Sequence, residues 1–157
     1  MNEIFSTDEL VLVEHAKTRV VEYNTLRLAV GGIDTLYAFI MSDSGHIYNG
    51  ACLESNNPLG TVCGERHAIA NMVLQESCAA KIKHLVVADP VPRVQLHGTT
   101  PCGTCREQIS NYSLQGTTVL CMQYIQRSSG WEFPQIDKYP MAELFPYPYQ
   151  PDPDLWK

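Results

Sequence analysis

Clusters of Lys and Arg are missing from this chain. Its 11 basic residues are scattered among 17 acidic ones, for a formal net charge of −6. A nucleic-acid backbone would find no basic groove to neutralise it. Long apolar runs are missing too, and nothing approaches the ~20 residues of a membrane span. The opening "MNEIFSTDELV" lacks the basic stretch and apolar core of a secretory signal. The expected location is therefore the cytoplasm, where thiols stay reduced. No internal repeat and no interdomain linker is visible. A length of 157 residues suits a single domain, 1–157, that buries a core without disulfide staples. With nucleic acid and membrane set aside, a small uncharged substrate or another protein chain is the expected partner.

What remains is an ordinary globular composition, 45% hydrophobic and 18% charged, with six cysteines. Three disulfides are arithmetically possible, but compartment and chain length favour metal or catalytic chemistry for some of these thiols.

Periodicity places the elements. "STDELVLVEHAKTRVVEYN" puts Ser6 or Thr7 ahead of acidic residues and spaces Leu10, Val13, Val20 and Val21 near helical period, predicting a capped helix over 7–22. Two short apolar runs around Ser42-Asp43-Ser44-Gly45 read as a β-hairpin, and "SNNPLG" as a loop. "CGERHAIANMVLQESCAA" reads as a helix, "HLVVAD" as a buried strand, "CGTCREQISNY" as a shorter helix and "TTVLCMQYI" as another strand. "SSGWEFPQ" is a turn with a short extra strand, and "YPMAELF" a last short helix before a Pro-rich tail. Strands alternating with helices in the second half imply an α/β fold with a partly parallel sheet flanked by helices.

Cys63 and Cys102 then fall at helix N-termini, where partial positive charge and unpaired N–H groups favour thiolate over thiol. Cys105 lies one turn beyond Cys102. Helix starts in open α/β sheets sit at the carboxyl ends of strands, so both can meet at one site. Three ligands leave a fourth position for water, as in catalytic rather than structural zinc sites. His67, one turn past Cys63, is the other ligand to consider. Glu65, two residues after Cys63, can take a proton from a zinc-activated water and return it to a leaving group. Arg66 can donate to the sulfurs and offset the charge of three thiolates.

"CGER" followed by "PCGTC" resembles the zinc-dependent cytidine deaminases, whose pattern is C-A-E-R and then P-C-x-x-C. "SDSGHIYNGACLES" resembles that family's hairpin ending in G-x-N-x-E, and "AELFPYPYQPDPDL" its C-terminal E-L-L-P-x-x-F-x-P-x-D-L. The resemblance covers roughly residues 34 to 155. It implies a three-layer α-β-α sandwich with a five-stranded mixed sheet, and a homotetramer with shared active sites. It also implies one Zn²⁺ per chain and hydrolysis of a cytosine amino group with release of ammonia. Glu54 stands where the family binds the sugar.

The pocket departs from the family. Cys52 replaces an asparagine, Asp34 falls at a phenylalanine, Pro58 falls at a tyrosine, and Gly64 replaces the alanine of C-A-E. Tyr149 in the tail is a further candidate pocket residue. A relaxed preference among sugars follows, with cytidine, deoxycytidine or a modified relative such as a blasticidin-type nucleoside antibiotic as substrate. A nucleic-acid cytosine deaminase and a non-catalytic zinc module are the competing classes. The plain alternatives are buried thiols for the three cysteines, a solvated first-turn carboxylate for Glu65, a surface residue for Arg66, a helix-face residue for His67 and a tail anchor for Tyr149. Cys52, Cys78 and Cys121 read as core or half-buried thiols.

Overall fold

The computed structural model describes residues 5–57, 60–91 and 99–148. A long helix α1 (Thr7–Ala29) precedes a hairpin of β1 (Tyr37–Ser42) and β2 (Ile47–Ala51). Then come α2 (Gly64–Gln75), β3 (Ile82–Pro90), α3 (Gly103–Tyr112), β4 (Ser113–Arg127), β5 (Gly130–Glu132), β6 (Ile136–Pro140) and α4 (Met141–Leu144). The sheet order is β2-β1-β3-β4-β5, with β6 also paired to β4. β3 and β4 run parallel across the α3 crossover, while the other pairings are antiparallel. This is the expected mixed sheet between two helical layers.

β1 shows why both faces are covered. All six of its residues are buried, and they alternate between two cores because strand side chains alternate in direction. Tyr37, Phe39 and Met41 join Leu12, Val13, Ala16 and Val20 of α1. Ala38 and Ile40 join Ala68, Ile69 and Met72 of α2, Ile109 of α3 and Met141 of α4.

Two expectations need correction. The sheet has six strands rather than five, because β5 and β6 share one edge of β4. β5 pairs with 125–127 and β6 with 118–122. Pro134, between them, has no N–H to give to a continuous ladder. α1 runs to Ala29 rather than stopping near 22. Its last turns lack apolar period because Asn24 faces inward, fully buried, and accepts from the Tyr37 hydroxyl at 2.9 Å. Helix α1 gives way at Val30 to Gly31, whose φ of +77° suits glycine.

The start of α1 is locked by a capping box between Ser6 and Glu9. Glu9 is also buried against the sheet, accepting from Lys138 Nζ at 2.8 Å and Thr118 Oγ1 at 2.7 Å. Burial alone would raise its pKa, but the Lys138 ammonium, the Ser6 N–H and the Thr118 hydroxyl outweigh burial and lower it to about 2. A carboxylate with a depressed folded pKa stabilises the fold above its unfolded pKa and loses that contribution as pH falls through its folded pKa. Glu9 is thus expected to contribute about 3 kcal/mol at neutral pH, lost between pH 4.5 and about 2. Urea midpoints of wild type and Glu9→Gln should diverge at pH 7 and converge near pH 2. Parallel pH profiles for the two proteins would contradict this linkage.

At the other end of the hairpin, Glu76 Oε1 accepts from the hydroxyls of Ser42, Ser44 and Tyr48, each at 2.7 Å. This ties the hairpin to the end of α2. Along the open edge of β2, Asn71 Nδ2 donates to the Asn49 carbonyl at 2.8 Å and His67 Nδ1 to the Ala51 carbonyl at 3.2 Å. Between those carbonyls, Gly50 lets α2 press onto the strand. A Cβ at Gly50 would stand 2.2 Å from the Gly64 carbonyl oxygen and 2.4 Å from the Ala68 nitrogen. Backbone cannot yield as a side-chain tip can, so Gly50→Ala should cost at least ~1–3 kcal/mol. A thermal melt should register this as a fall of several degrees, and an unchanged midpoint would count against so tight a contact.

Candidate metal centre and active site

The site gathers where α2 and α3 begin, at the carboxyl end of β3. Cys63 is the N-cap residue of α2 and Cys102 that of α3, both with extended backbone and neither spending its side chain on a capping bond. One turn into α3, Cys105 is fully buried. The three Sγ atoms all lie within 4.8 Å of one another. Tetrahedral zinc at ~2.3 Å from each sulfur would hold them about 3.8 Å apart, so the cluster is within an ångström of a zinc spacing.

The electrostatics are those of a site crowded with acceptors. Burial, with the Glu65 charge adding, pushes the Cys63 thiol up to about 11. Burial and Glu65 hold the Cys105 thiol higher still. This departs from the thiolate expected of Cys63 at a helix start, because burial, with the Glu65 charge adding, opposes the helix dipole. Cys102 follows the expectation: burial would raise it, but hydrogen bonds from the Cys105 backbone N–H and its neighbouring thiols bring it below the usual thiol range. A dication held by these three thiols would favour their thiolate forms.

Glu65, second residue of α2, is 1% exposed, and its Oε2 has no hydrogen-bond partner among the described residues. Burying a carboxyl oxygen without a partner is costly, so this atom fits a ligand or a metal-activated water. Burial holds the Glu65 carboxyl above the usual carboxylate range, with the Asp89 charge adding; bonds from its own backbone N–H and the Cys105 thiol act the other way. Arg66 Nε is likewise a buried donor with no acceptor among the described residues. That suits a guanidinium whose acceptors would be charged sulfurs. His67 is exposed and stands outside the three-sulfur group, its ring committed to the Ala51 carbonyl.

The loop after β2 is drawn to the cluster by an antiparallel bridge between Leu53 and Val62, with N–H···O distances of 2.8 and 3.0 Å. The bridge carries Cys52 and Glu54 toward Cys63. Cys52 is half-buried, and burial together with the charges of Glu54 and Glu65 raises its pKa. Gly64 packs against Leu36, Ala38 and Gly50, with 3.1–3.2 Å to an added Cβ, so the family's alanine would crowd this chain. Asp34 is half-buried, and its charge raises the pKa of the Tyr37 and Tyr124 phenols on the α1 face, beside the larger effect of burial. Tyr149 and Pro58 lie outside the described residues. Cys78 is exposed and Cys121 buried.

The structure adds residues that sequence reasoning passed over. Asp89, at the end of β3, is buried and accepts from Thr99 Oγ1 at 2.5 Å; its signal was a lone acid closing the apolar run "HLVVAD". Arg106 holds the approach to Cys102, donating to Pro101 O and Thr100 Oγ1 at 2.7 Å each, and to Leu144 O at 3.3 Å. Thr35 and Tyr124, discussed below, left no local signal.

Fold and cluster together define a cytidine-deaminase-like α/β sandwich with a three-thiol group able to hold a metal. No protein-family model matches the chain, and no curated protein matches it. Solved structures do. The cytidine deaminase from Burkholderia pseudomallei aligns at TM-score 0.61 and 14% identity, over 84% of this chain and 98% of its own. That from Bacillus anthracis gives 0.57 and 19%, over 88% and 86%. That from Mycobacterium tuberculosis gives 0.52 and 16%, over 74% and 79%. The likeness is one of fold. Among the described residues no helix is long and apolar enough to cross a membrane.

Proposed function

We propose that this chain is a zinc-dependent hydrolase that deaminates a cytosine nucleoside to the uracil nucleoside and ammonia. The observation that carries the proposal is the orphaned, buried Glu65 Oε2 beside three convergent thiols at two helix starts. Cys63, Cys102 and Cys105 would hold one zinc ion, which supplies the Lewis acidity that lets a water lose its proton near neutral pH. Glu65 takes that proton to the pyrimidine ring nitrogen, and then relays the second proton, from the hydroxyl added to the ring carbon, to the amino group that departs as ammonia. Its buried position keeps bulk water from that exchange and favours a carboxyl able to carry the proton. Arg66 offsets the negative charge of three thiolates. The Gly64 backbone borders the base, and Glu54 accepts from a sugar hydroxyl. Cys52 and Asp34, which break the family pattern, loosen the choice of sugar.

The chain works as one domain in a reducing compartment such as the cytoplasm, as a homotetramer in which Tyr149 helps close a neighbouring pocket. Sedimentation showing a monomer with full activity at high dilution would refute that assembly. The function itself is tested by zinc content and by ammonia release over cytidine, deoxycytidine, free cytosine, cytosine nucleotides, a blasticidin-type nucleoside and single-stranded DNA. One zinc per chain with turnover of a nucleoside supports the reading. Absence of zinc, or turnover confined to the nucleic acid, overturns it.

A further inference from the structure

The segment leading into β1 is pinned from the far end of β4. Tyr124, fully buried, donates its hydroxyl to the Thr35 carbonyl at 2.6 Å and accepts from the Thr35 N–H at 3.2 Å. One phenol oxygen thus satisfies both backbone groups of a residue 89 positions away. The Tyr124 ring is itself held between Tyr37 and Trp131, at centroid distances of 6.4 and 5.9 Å. Thr35 is 1% exposed, so its hydroxyl has few partners to choose from. It donates to Glu54 Oε1 at 3.3 Å and stands in hydrogen-bond reach of the Cys52 thiol. A buried, doubly anchored hydroxyl therefore reaches an exposed glutamate and a half-buried cysteine on the loop beside the metal cluster.

We propose that Thr35, anchored by Tyr124, is a positioning residue that fixes the Glu54 carboxylate for the sugar hydroxyl of the substrate; the inference rests on the deaminase reading above. A glutamate side chain at a loop surface samples several rotamers, and restraining one oxygen removes much of that freedom before the ligand arrives. The other oxygen is left to accept from the sugar. A hydroxyl has one proton to give, and Thr35 gives it to Glu54, so the carboxylate is restrained without being neutralised. Because the effect is on holding the sugar and not on proton transfer at the base, it belongs in KM rather than kcat.

The test is the ratio of kcat/KM for cytidine to that for free cytosine, which has no sugar for Glu54 to hold. Thr35→Val keeps the shape and removes the hydroxyl. It should raise KM for cytidine about tenfold, the order expected of one hydrogen bond to a charged group, with kcat changed less than about twofold. The cytidine-to-cytosine ratio should fall by a similar factor. Thr35→Ser restores the hydroxyl and should return most of the lost KM. Tyr124→Phe, which keeps the ring and releases the backbone of Thr35, should move KM in the same direction. Circular dichroism and a thermal melt on each variant verify folding, and Tyr124→Phe carries the test should Thr35→Val not fold. A wild type that turns over no nucleoside defeats the deaminase reading and this inference with it. A wild type that deaminates cytidine, with variants that leave the ratio unchanged or lower kcat alone, overturns this inference only.

Discussion

Glu65→Gln should keep the fold and the metal yet lose deamination by ~10²–10⁴-fold, the range attributable to a positioned general acid–base group. Glutamine fills the same volume in a pocket where the native side chain is 1% exposed, so packing is preserved. It cannot accept the proton from water or hand it on. The loss should fall on kcat, with KM for the nucleoside nearly unchanged, because the role proposed for the glutamate is in the transition state rather than in ground-state binding. Replacing a buried carboxyl that has an unpartnered oxygen with a neutral amide should not lower stability much. A rate loss under tenfold at full metal content would remove Glu65 from the chemistry.

Cys105→Ala should abolish metal retention. The sulfur is fully buried and is the only one of the three inside a helix rather than at its cap. Loss of groups that merely orient a ligand costs ~10–100-fold in metal affinity, so loss of a ligand itself should exceed ~100-fold. Zinc by elemental analysis should fall from one per chain toward none. A second readout is thermal: an ion that binds only the folded state stabilises it by mass action. A chelator should therefore lower the melting temperature of wild type and leave that of Cys105→Ala unmoved. Equal chelator shifts in both proteins would mean that the three thiols are not the metal site.

The legible parts were those written in short spacings. A C-x2-C pair, a cysteine two residues from a glutamate and apolar runs of strand length lead to the three-thiol cluster, the helix starts and the sandwich without reference to distant residues. What escaped was long-range or locally contradictory. The second half of α1 hid because Asn24 is polar yet fully buried, its Oδ1 accepting from a tyrosine of β1. On the outer edge of β4, the short strand expected in "SSGWEFPQ" is β5, but β6 hid because Asp137 and Lys138 interrupt its apolar residues within only five positions. Thr35 and Tyr124 hid because their bond spans 89 positions, and neither residue type announces a role alone. Helix position was not the whole of the chemistry in one place: Cys63 caps α2 as an activated thiol would, but burial, with the Glu65 charge adding, raises its pKa to about 11.

The two side-chain bonds from α2 to the rim of β2 have a consequence for how copies of this chain can meet. A bare edge strand offers its outward carbonyls as a template on which another strand can add. Here the carbonyls of Asn49 and Ala51 are already taken by Asn71 and His67, which sit four residues apart on one stripe of α2. The opposite edge of the sheet is occupied by β5 and β6. An added strand at the β2 rim would therefore have to displace two side-chain bonds before it could pair.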